Sequence, residues 1–149
     1  MNIEPIGVVH SPIAEPTDEG WGQVIAEICL QEWLAPALQG LEQFSHAIIV
    51  YYLHQSPFDP QQPLVRRPRG LDDMPPLGLF AQRSRHRPNP IGVTAVEIVA
   101  VRGNVLAVKG LDAIDGTPVL DIKPYYPAYD RVEAPRTPAW VDELMAGYF

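Results

Sequence analysis

The sequence predicts a mainly β fold, a single-domain β-barrel with short helices and a helix near the C-terminal end. Its 149 residues suffice for one domain that buries its own core. The 17 prolines and 11 glycines favour loops and short strands over long helices. Several segments alternate apolar with polar residues or concentrate β-branched and aromatic side chains, as strands do. We therefore expect residues 1–149 to form one domain without internal repeats.

The first third of the chain holds three predicted strands and one short helix. Ile3–His10 is the first strand, interrupted by Pro5. Gly22–Leu30 is the second, because its apolar residues fall on every second position. Ala35–Gly40 has a proline near its start and a glycine at its end, which favours a short helix. His46–His54 is rich in β-branched and aromatic residues and should be a buried strand.

The middle of the chain begins with a long loop and continues as strands. Pro57–Pro76 contains six prolines and shows no clear periodicity. Loops of this length in compact domains are usually functional or mobile. Leu77–Gln82 should be a short strand, and Ile91–Val101 should form a hairpin with Val105–Lys109 around an Arg-Gly-Asn turn.

The last third contributes one strand and one helix. Thr117–Tyr126 is the final predicted strand. Thr137–Phe149 is the predicted helix, with Thr137 as its N-cap and Pro138 as its first residue. A run of short strands followed by a helix is typical of a barrel or a strongly curved sheet.

Charge is distributed unevenly along the chain. The formal net charge is −7, and residues 1–65 hold eight acidic residues but no lysine or arginine. Residues 66–87 then hold six arginines against two aspartates, which makes a local charge of +4. A uniformly basic nucleic-acid-binding surface is therefore excluded. A focused anion site and a solvated arginine-rich loop are both compatible with this pattern.

Several classes of site and location are disfavoured. Cys29 is the only cysteine, so no internal disulfide can form. The four histidines lack the spacing of zinc ligands, and the Rossmann glycine motif is absent, so we expect no metal and no Rossmann nucleotide site. The longest apolar run, Ala47–Leu53, is far shorter than the ~20 residues that span a bilayer. Because the chain also starts without a basic-then-apolar leader, we expect a cytoplasmic protein.

Two unusual segments hold most of the information about function. The first is Arg83–Gly92, with the sequence RSRHRPNPIG. Its three arginines lie at every second position, so an extended backbone would project them from one face. The prolines on either side of Asn89 stiffen the segment. The second is Asp115–Pro127, with the sequence DGTPVLDIKPYYP.

Four segments of the chain resemble the TsaA-like (TrmO) family. They are Pro5–Pro12 (PIGVVHSP), Gly40–Gln55 (GLEQFSHAIIVYYLHQ), Arg83–Gly92 and Leu111–Pro127 (LDAIDGTPVLDIKPYYP). The resemblance covers most of the chain. It implies a β-barrel that binds S-adenosylmethionine (SAM) without a Rossmann sheet. It also implies a homodimer with the cofactor near the subunit interface, and the family includes tRNA adenosine N6-methyltransferases.

The resemblance further implies which positions contact the cofactor. These positions lie at strand ends and turns of the matching segments: His54, Gln55, Arg83, Val93, Ile114, Asp115, Gly116 and Thr117. The family also uses a segment after the first Ser-Pro turn, where this chain departs from the usual Pro-Arg-Gln pattern. Gln23 is the one equivalent that we assign there. Asp115 would accept hydrogen bonds from the cofactor, and Gly116 would allow close approach of the backbone.

The reaction that the resemblance implies also suggests catalytic residues. The acceptor nitrogen of the tRNA reaction carries a carbamoyl group and is a poor nucleophile, so loss of its proton would help. We hypothesise that Asp121 acts as base or orienter, while Lys123 and Tyr125 hold the substrate. The three residues alternate along one strand and so share a face. A strand with a surface Asp–Lys pair is the alternative explanation of the same residues.

These expectations lead to a SAM-dependent methyltransferase that acts on a modified adenosine of tRNA. Two alternatives stay open: transfer to a small molecule or another RNA, and a non-catalytic module that binds the cofactor or a partner. The net charge of −7 is unfavourable for binding phosphates, although dimerisation could place two arginine loops around one groove. We expect tRNA and a second copy of the chain as partners, and neither membrane nor DNA.

Overall fold

A closed six-stranded β-barrel is the main feature of the computed structural model, which describes residues 2–149. The strands are β1 (Gly7–His10), β2 (Ile25–Leu30), β3 (His46–Tyr52), β4 (Val65–Arg66), β5 (Leu77–Gly78), β6 (Ile91–Arg102), β7 (Val105–Lys109) and β8 (Pro118–Pro124). Their order around the barrel is β1-β2-β7-β6-β3-β8, and antiparallel pairing of β8 with β1 closes it. β4 and β5 form a separate two-stranded sheet. The predicted β-barrel is therefore confirmed.

Alternation along the strands fills the barrel with aliphatic side chains. On β2, Ala26, Ile28 and Leu30 are buried, while the residues between them are exposed or half-buried. Ile28 pairs with Val9 on one side and with Leu106 on the other, so three fully buried side chains meet across neighbouring strands. Burial of such a side chain contributes about 1.5–3 kcal/mol, which makes this interior the core of the protein.

One end of the barrel collects the two unusual sequence segments. β3 ends and β6 begins there, since Tyr52 pairs with Ile91. β8 begins at the same end, since Val119 pairs with both Tyr51 and Gly7. The long loop between β3 and β6 therefore leaves and returns at this end, and the bend that precedes β8 lies beside it.

Several predicted strand boundaries differ from the observed ones. β1 begins at Gly7, because Pro5 has no amide hydrogen with which to extend the ladder. β2 begins later than predicted, because Trp21–Gln23 forms a 3-10 turn. The predicted strand Leu77–Gln82 is mostly wrong: only its first two residues pair, and Leu79–Ala81 is a 3-10 turn. The short partner β4 offers only two residues to pair with.

The helices are short. The predicted helix Ala35–Gly40 is a 3-10 helix over Glu32–Leu38. α1 spans Pro127–Asp130, and α2 spans Trp140–Met145. α2 is shorter than predicted, and its N-cap is Ala139 with no side-chain cap, so the assignment of Thr137 was wrong.

None of the helices in residues 2–149 combines the length and apolar character that a bilayer span requires. The assignment of the whole chain to one domain stays a prediction.

Candidate cofactor site

A cavity of about 1240 Å³ opens at the barrel end where β3 finishes and β6 begins. Its walls come from seven parts of the chain that lie within residues 16–21, 51–56, 66–70, 80–87, 91–95, 112–117 and 140–149. The arginine segment and the bend before β8 thus line one cavity, although they are distant in the sequence.

Asp112 is the polar centre of this cavity. The hydroxyl of Tyr51 donates to Asp112 Oδ1 over 2.8 Å, and the hydroxyl of Tyr148 donates to Oδ2 over 2.7 Å. Thr94 Oγ1 also donates to Oδ1. Hydrogen bonds to a carboxylate are stronger than those between neutral groups. The half-buried Asp112 carboxylate is therefore held in place from β3, from β6 and from the C-terminal segment.

The two tyrosines remain protonated donors at neutral pH. Burial raises the pKa of Tyr51 and of Tyr148, and the nearby Asp112 carboxylate raises both further. Gly92 makes room for one of the rings, because a Cβ at this position would collide with the Tyr51 ring. The glycine that ends RPNPIG is thus required for the position of Tyr51.

Backbone carbonyls hold the arginine segment against the cavity. Arg83 donates from Nη2 to the carbonyl of Val93 over 2.7 Å. Arg87 donates from Nη1 to the carbonyl of Gln82 over 2.8 Å. Arg85 lines the same cavity, so all three arginines of the segment reach it. Ser84 and His86 line it as well, and the projection of the arginines from one face stays a prediction.

The arginines bring positive charge that the acidic residues of this chain leave largely unneutralised. All six arginines of residues 66–87 line the cavity. In the part of the chain that the structure describes, only Arg69 among them forms an ion pair with a carboxylate, that of Asp18 at 3.8 Å. The local potential is therefore positive despite the net charge of −7. This arrangement favours a focused anion site over an unconnected solvated loop.

Some residues of the bend before β8 line the cavity, and others hold neighbouring parts of the barrel in place. Ile114 and Thr117 line the cavity, whereas Asp115 does not. Asp115 Oδ1 instead accepts the amide hydrogen of Ser11 over 3.1 Å. Gly116 turns the chain with a φ of 76°. Asp115 therefore fixes the loop after β1, and its predicted contact with the cofactor stays a prediction.

The other predicted cofactor residues separate in the same way. His54, Gln55 and Val93 line the cavity. Gln23 is exposed and lies outside it, whereas its neighbour Trp21 is buried and lines it. In the segment where this chain departs from the family pattern, the residue that lines the cavity is therefore Trp21.

Asp121 and Lys123 lie together, and none of the three predicted catalytic residues lines the cavity. Asp121 pairs with Val50 and Lys123 pairs with Ile48, residues whose side chains alternate with the buried ones of β3. The shared face is therefore the outer surface of the barrel. Lys123 Nζ lies 2.6 Å from Asp121 Oδ2, and this hydrogen bond raises the pKa of Lys123. The roles of Asp121, Lys123 and Tyr125 stay predictions.

Sequence reasoning missed the polar group at the base of the cavity. Asp112 lies within the matching segment LDAIDGT, between the buried residues Leu111 and Ala113. A charged residue in a buried run is a signal that could have found it. Nothing local marks Tyr51 or Tyr148, because their roles depend on contacts across the fold.

Comparison with known proteins identifies the family. Residues 10–131 match the model of the tRNA-methyltransferase O N-terminal domain. The chain is 38% identical over 136 residues to an S-adenosyl-L-methionine-binding protein of Archaeoglobus fulgidus, an alignment that covers 89% of this chain and 94% of the relative. It is 41% identical over 141 residues to the tRNA (adenine(37)-N6)-methyltransferase of Escherichia coli, covering 85% of this chain and 58% of that enzyme.

A solved structure gives the same result. The crystal structure of TrmO from Pseudomonas aeruginosa matches with a TM-score of 0.76 at 32% identity, covering 94% of this chain and 61% of that one. The chain spans about three-fifths of the length of that TrmO and of the E. coli enzyme. It belongs to the family of tRNA-methyltransferase O N-terminal domains.

Proposed function

We propose that this chain is a SAM-dependent methyltransferase that acts on a modified adenosine of tRNA. One observation carries the proposal: the arginine segment, His54–Gln55 and the bend before β8 meet at one cavity. Pockets for small ligands measure about 300–1,000 Å³, and this cavity of about 1240 Å³ is large enough for one. The relatives named above are a SAM-binding protein and a tRNA adenine methyltransferase.

The residues present suit SAM, which supplies an electrophilic methyl group on a sulfonium. SAM carries two positive charges and one carboxylate. The half-buried carboxylate of Asp112 suits a positive charge, and the guanidinium groups of Arg83 and Arg85 suit the carboxylate. Phe80 and Ile114 offer aromatic and aliphatic surface for an adenine ring.

A continuous outer surface connects the cavity with the proposed catalytic residues. Val93 lines the cavity and pairs with Val50, which pairs on its other side with Asp121. Neighbouring strands lie about 4.8 Å apart, so Asp121 is about 10 Å from Val93 across β3. A nucleotide that binds across β6, β3 and β8 can therefore approach the cavity and Asp121 together.

On this surface we assign Asp121 to the acceptor nitrogen. Its carboxylate accepts hydrogen bonds from Lys123 and from the amide of Ile122, the latter over 2.9 Å, and these bonds orient it. Asp121 would accept the acceptor's N–H, and Lys123 and Tyr125 would hold the rest of the nucleotide. Methyl transfer itself depends on alignment of the nucleophile, which such positioning provides.

We assign the phosphates of tRNA to the arginines of the long loop. Arg66, Arg67 and Arg69 line the rim of the cavity and add to its positive charge. Each phosphate contact by a lysine or arginine releases counterions, so affinity should fall steeply with salt. Replacing all three with alanine should weaken tRNA binding and flatten its salt dependence. Unchanged tRNA affinity would refute this assignment.

We also infer that the chain works as a homodimer. Beside the surface assigned to the nucleotide, two apolar side chains on adjacent strands are exposed: Tyr52 is 42% exposed and pairs with Ile91, which is 38% exposed. Contiguous exposed apolar side chains often mark an interface. Light scattering should give twice the mass of the chain, and Tyr52→Asp should give a monomer. A monomeric wild type would contradict the inference.

A second function stays open because the A. fulgidus relative, 94% of which aligns with this chain, is named for SAM binding alone. That function is transfer to a small molecule or another RNA, or binding without catalysis. We place the protein in the cytoplasm, where tRNA is modified.

Incubation with methyl-labelled SAM and total tRNA separates these functions. Label in tRNA is the expected result. Label in another acceptor would support the second enzyme function, and binding without transfer would support a non-catalytic module. Mapping the labelled nucleotide to the modified adenosine completes the test, because label on another nucleotide would contradict the proposed substrate.

A further inference from the structure

The C-terminal strap, which we define as residues 140–149, docks on the loop that follows β1. The amide of Gly20 donates to the carbonyl of Gly147 over 2.9 Å, and the amide of Trp21 donates to the carbonyl of Tyr148 over 2.8 Å. These bonds bring the strap to the same cavity that the arginine segment lines.

The connection between the barrel and the strap is loosely packed. Residues 131–139 are all exposed and belong to neither helix nor strand. Segments with few buried contacts open at a lower free energy than the core. The strap can therefore leave the cavity while the barrel stays folded.

A chain of polar contacts crosses the strap through Tyr148. Its hydroxyl donates to Asp112 on the inner side, and the Arg69 guanidinium lies over its ring, 5.8 Å from the centroid. Arg69 in turn pairs with Asp18 at 3.8 Å. Arg69 has a φ of 51°, a left-handed value that is uncommon for a residue other than glycine and often occurs at functional sites.

The strap forms a wall of the cavity and does not fill it. Trp140 and Leu144 line the cavity, yet about 1240 Å³ stays open with the strap docked. A ligand of ordinary size can therefore lie beneath the strap. The docked strap covers one side of such a ligand, so we expect opening of the strap to speed the ligand's exit.

We propose that Tyr148 is a positioning residue for SAM, because its contact with Asp112 latches the strap over the cavity and slows release of the bound molecule. The inference rests on the proposed function, since it requires SAM to occupy this cavity. Arg69 forms the outer half of the latch, and Asp112 forms the inner half.

Stopped-flow fluorescence can measure the release of SAM directly. Trp21 and Trp140 line the cavity, whereas Trp33 lies elsewhere and is 73% exposed, so Trp33→Phe removes background signal. In that background Tyr148→Phe keeps the ring but loses the hydroxyl. We expect the release rate constant of SAM to rise about tenfold, as loss of a hydrogen bond to a charged group allows.

Two further variants keep the test specific. Tyr126→Phe is the matched control, because Tyr126 packs on Phe44 and does not line the cavity. Release from this control should stay as in the wild type. In an Asp112→Ala background, Tyr148→Phe should add less than about twofold, because Asp112→Ala has already removed the acceptor of this contact.

The possible outcomes separate the two proposals. Absence of SAM binding by the wild type would overturn the proposed function and the latch together. Binding by the wild type with unchanged release from Tyr148→Phe would overturn the latch alone. Independent, multiplying effects of the Asp112 and Tyr148 changes would also overturn it.

Discussion

Asp112 and Asp121 are two carboxylates of one barrel whose surroundings differ in kind. Asp112 lies in the cavity and accepts hydrogen bonds from three neutral hydroxyls. Asp121 lies on the outer surface, where its side chain is 45% exposed and pairs with a lysine that is 63% exposed. Neutral partners leave the charge of Asp112 available to a cation, while the exposed partner of Asp121 can be exchanged for a substrate group. In the proposed function, the methyl donor binds inside, at Asp112, and the methyl acceptor binds outside, at Asp121.

The largest effect is expected from a change at the outer carboxylate, Asp121. Asp121→Asn keeps the shape of the side chain but removes the charge that, in the proposed function, orients the acceptor's N–H. We expect turnover to fall about 100-fold, within the range for loss of a positioned acid or base, while the Kd of SAM stays unchanged. Single-turnover transfer and calorimetry measure the two quantities. Full turnover by the variant would remove Asp121 from this role.

The hydrogen bonds around Asp112 can be disturbed by a change at Gly92, which packs against the Tyr51 ring. Gly92→Ala places a Cβ against the Tyr51 ring, and overpacking of this kind costs about 2 kcal/mol. Urea unfolding should show this loss, together with weaker binding of SAM. The matched control is Gly78→Ala, because Gly78 has an ordinary φ of −61° and open space around its Cβ position. Equal stability of the two variants would contradict our account of Tyr51.

The smallest expected effect is a loss of folding stability at alkaline pH, which tests the buried hydroxyl of Tyr51 beside Asp112. The pKa of Tyr51 is raised in the folded protein, so its stabilising contribution is complete below the unfolded value of about 10 and is lost as pH rises above that value. Between pH 8 and 10.5 the wild type should lose about 0.8 kcal/mol through this group. Tyr51→Phe should lose less over the same interval of pH. The free energy of unfolding of both proteins is measured by urea unfolding. Equal losses in the wild type and in Tyr51→Phe would show that the Tyr51 hydroxyl is not the source of the pH dependence.

Local patterns predicted the elements of the barrel well. The hairpin of β6 and β7 follows from two alternating runs around Gly103, which indeed turns the chain with a φ of 61°. The buried strand β3 follows from its β-branched and aromatic residues. These patterns involve residues that are close in the sequence, so strands and turns of this kind can be predicted from a single sequence.

Long-range contacts explain what the sequence could not show. The C-terminal helix stops at Met145, and Gly147 then adopts a φ of 75° and bonds to Gly20. The Asp112 network joins three distant segments. Nothing near Asp112 or Tyr148 in the sequence announces these partners. The outward direction of Asp121 likewise depends on its register with β3.

Photochemical cross-linking of labelled SAM tests the central claim most directly, namely that the cavity at the barrel end binds the methyl donor. Ultraviolet irradiation of the bound complex, followed by mass spectrometry of the peptides, locates the label. We predict label in residues 53–56, 82–87, 91–95 or 112–114, which line the cavity. Label confined to segments that do not line the cavity, such as β2 or β7, would contradict the account.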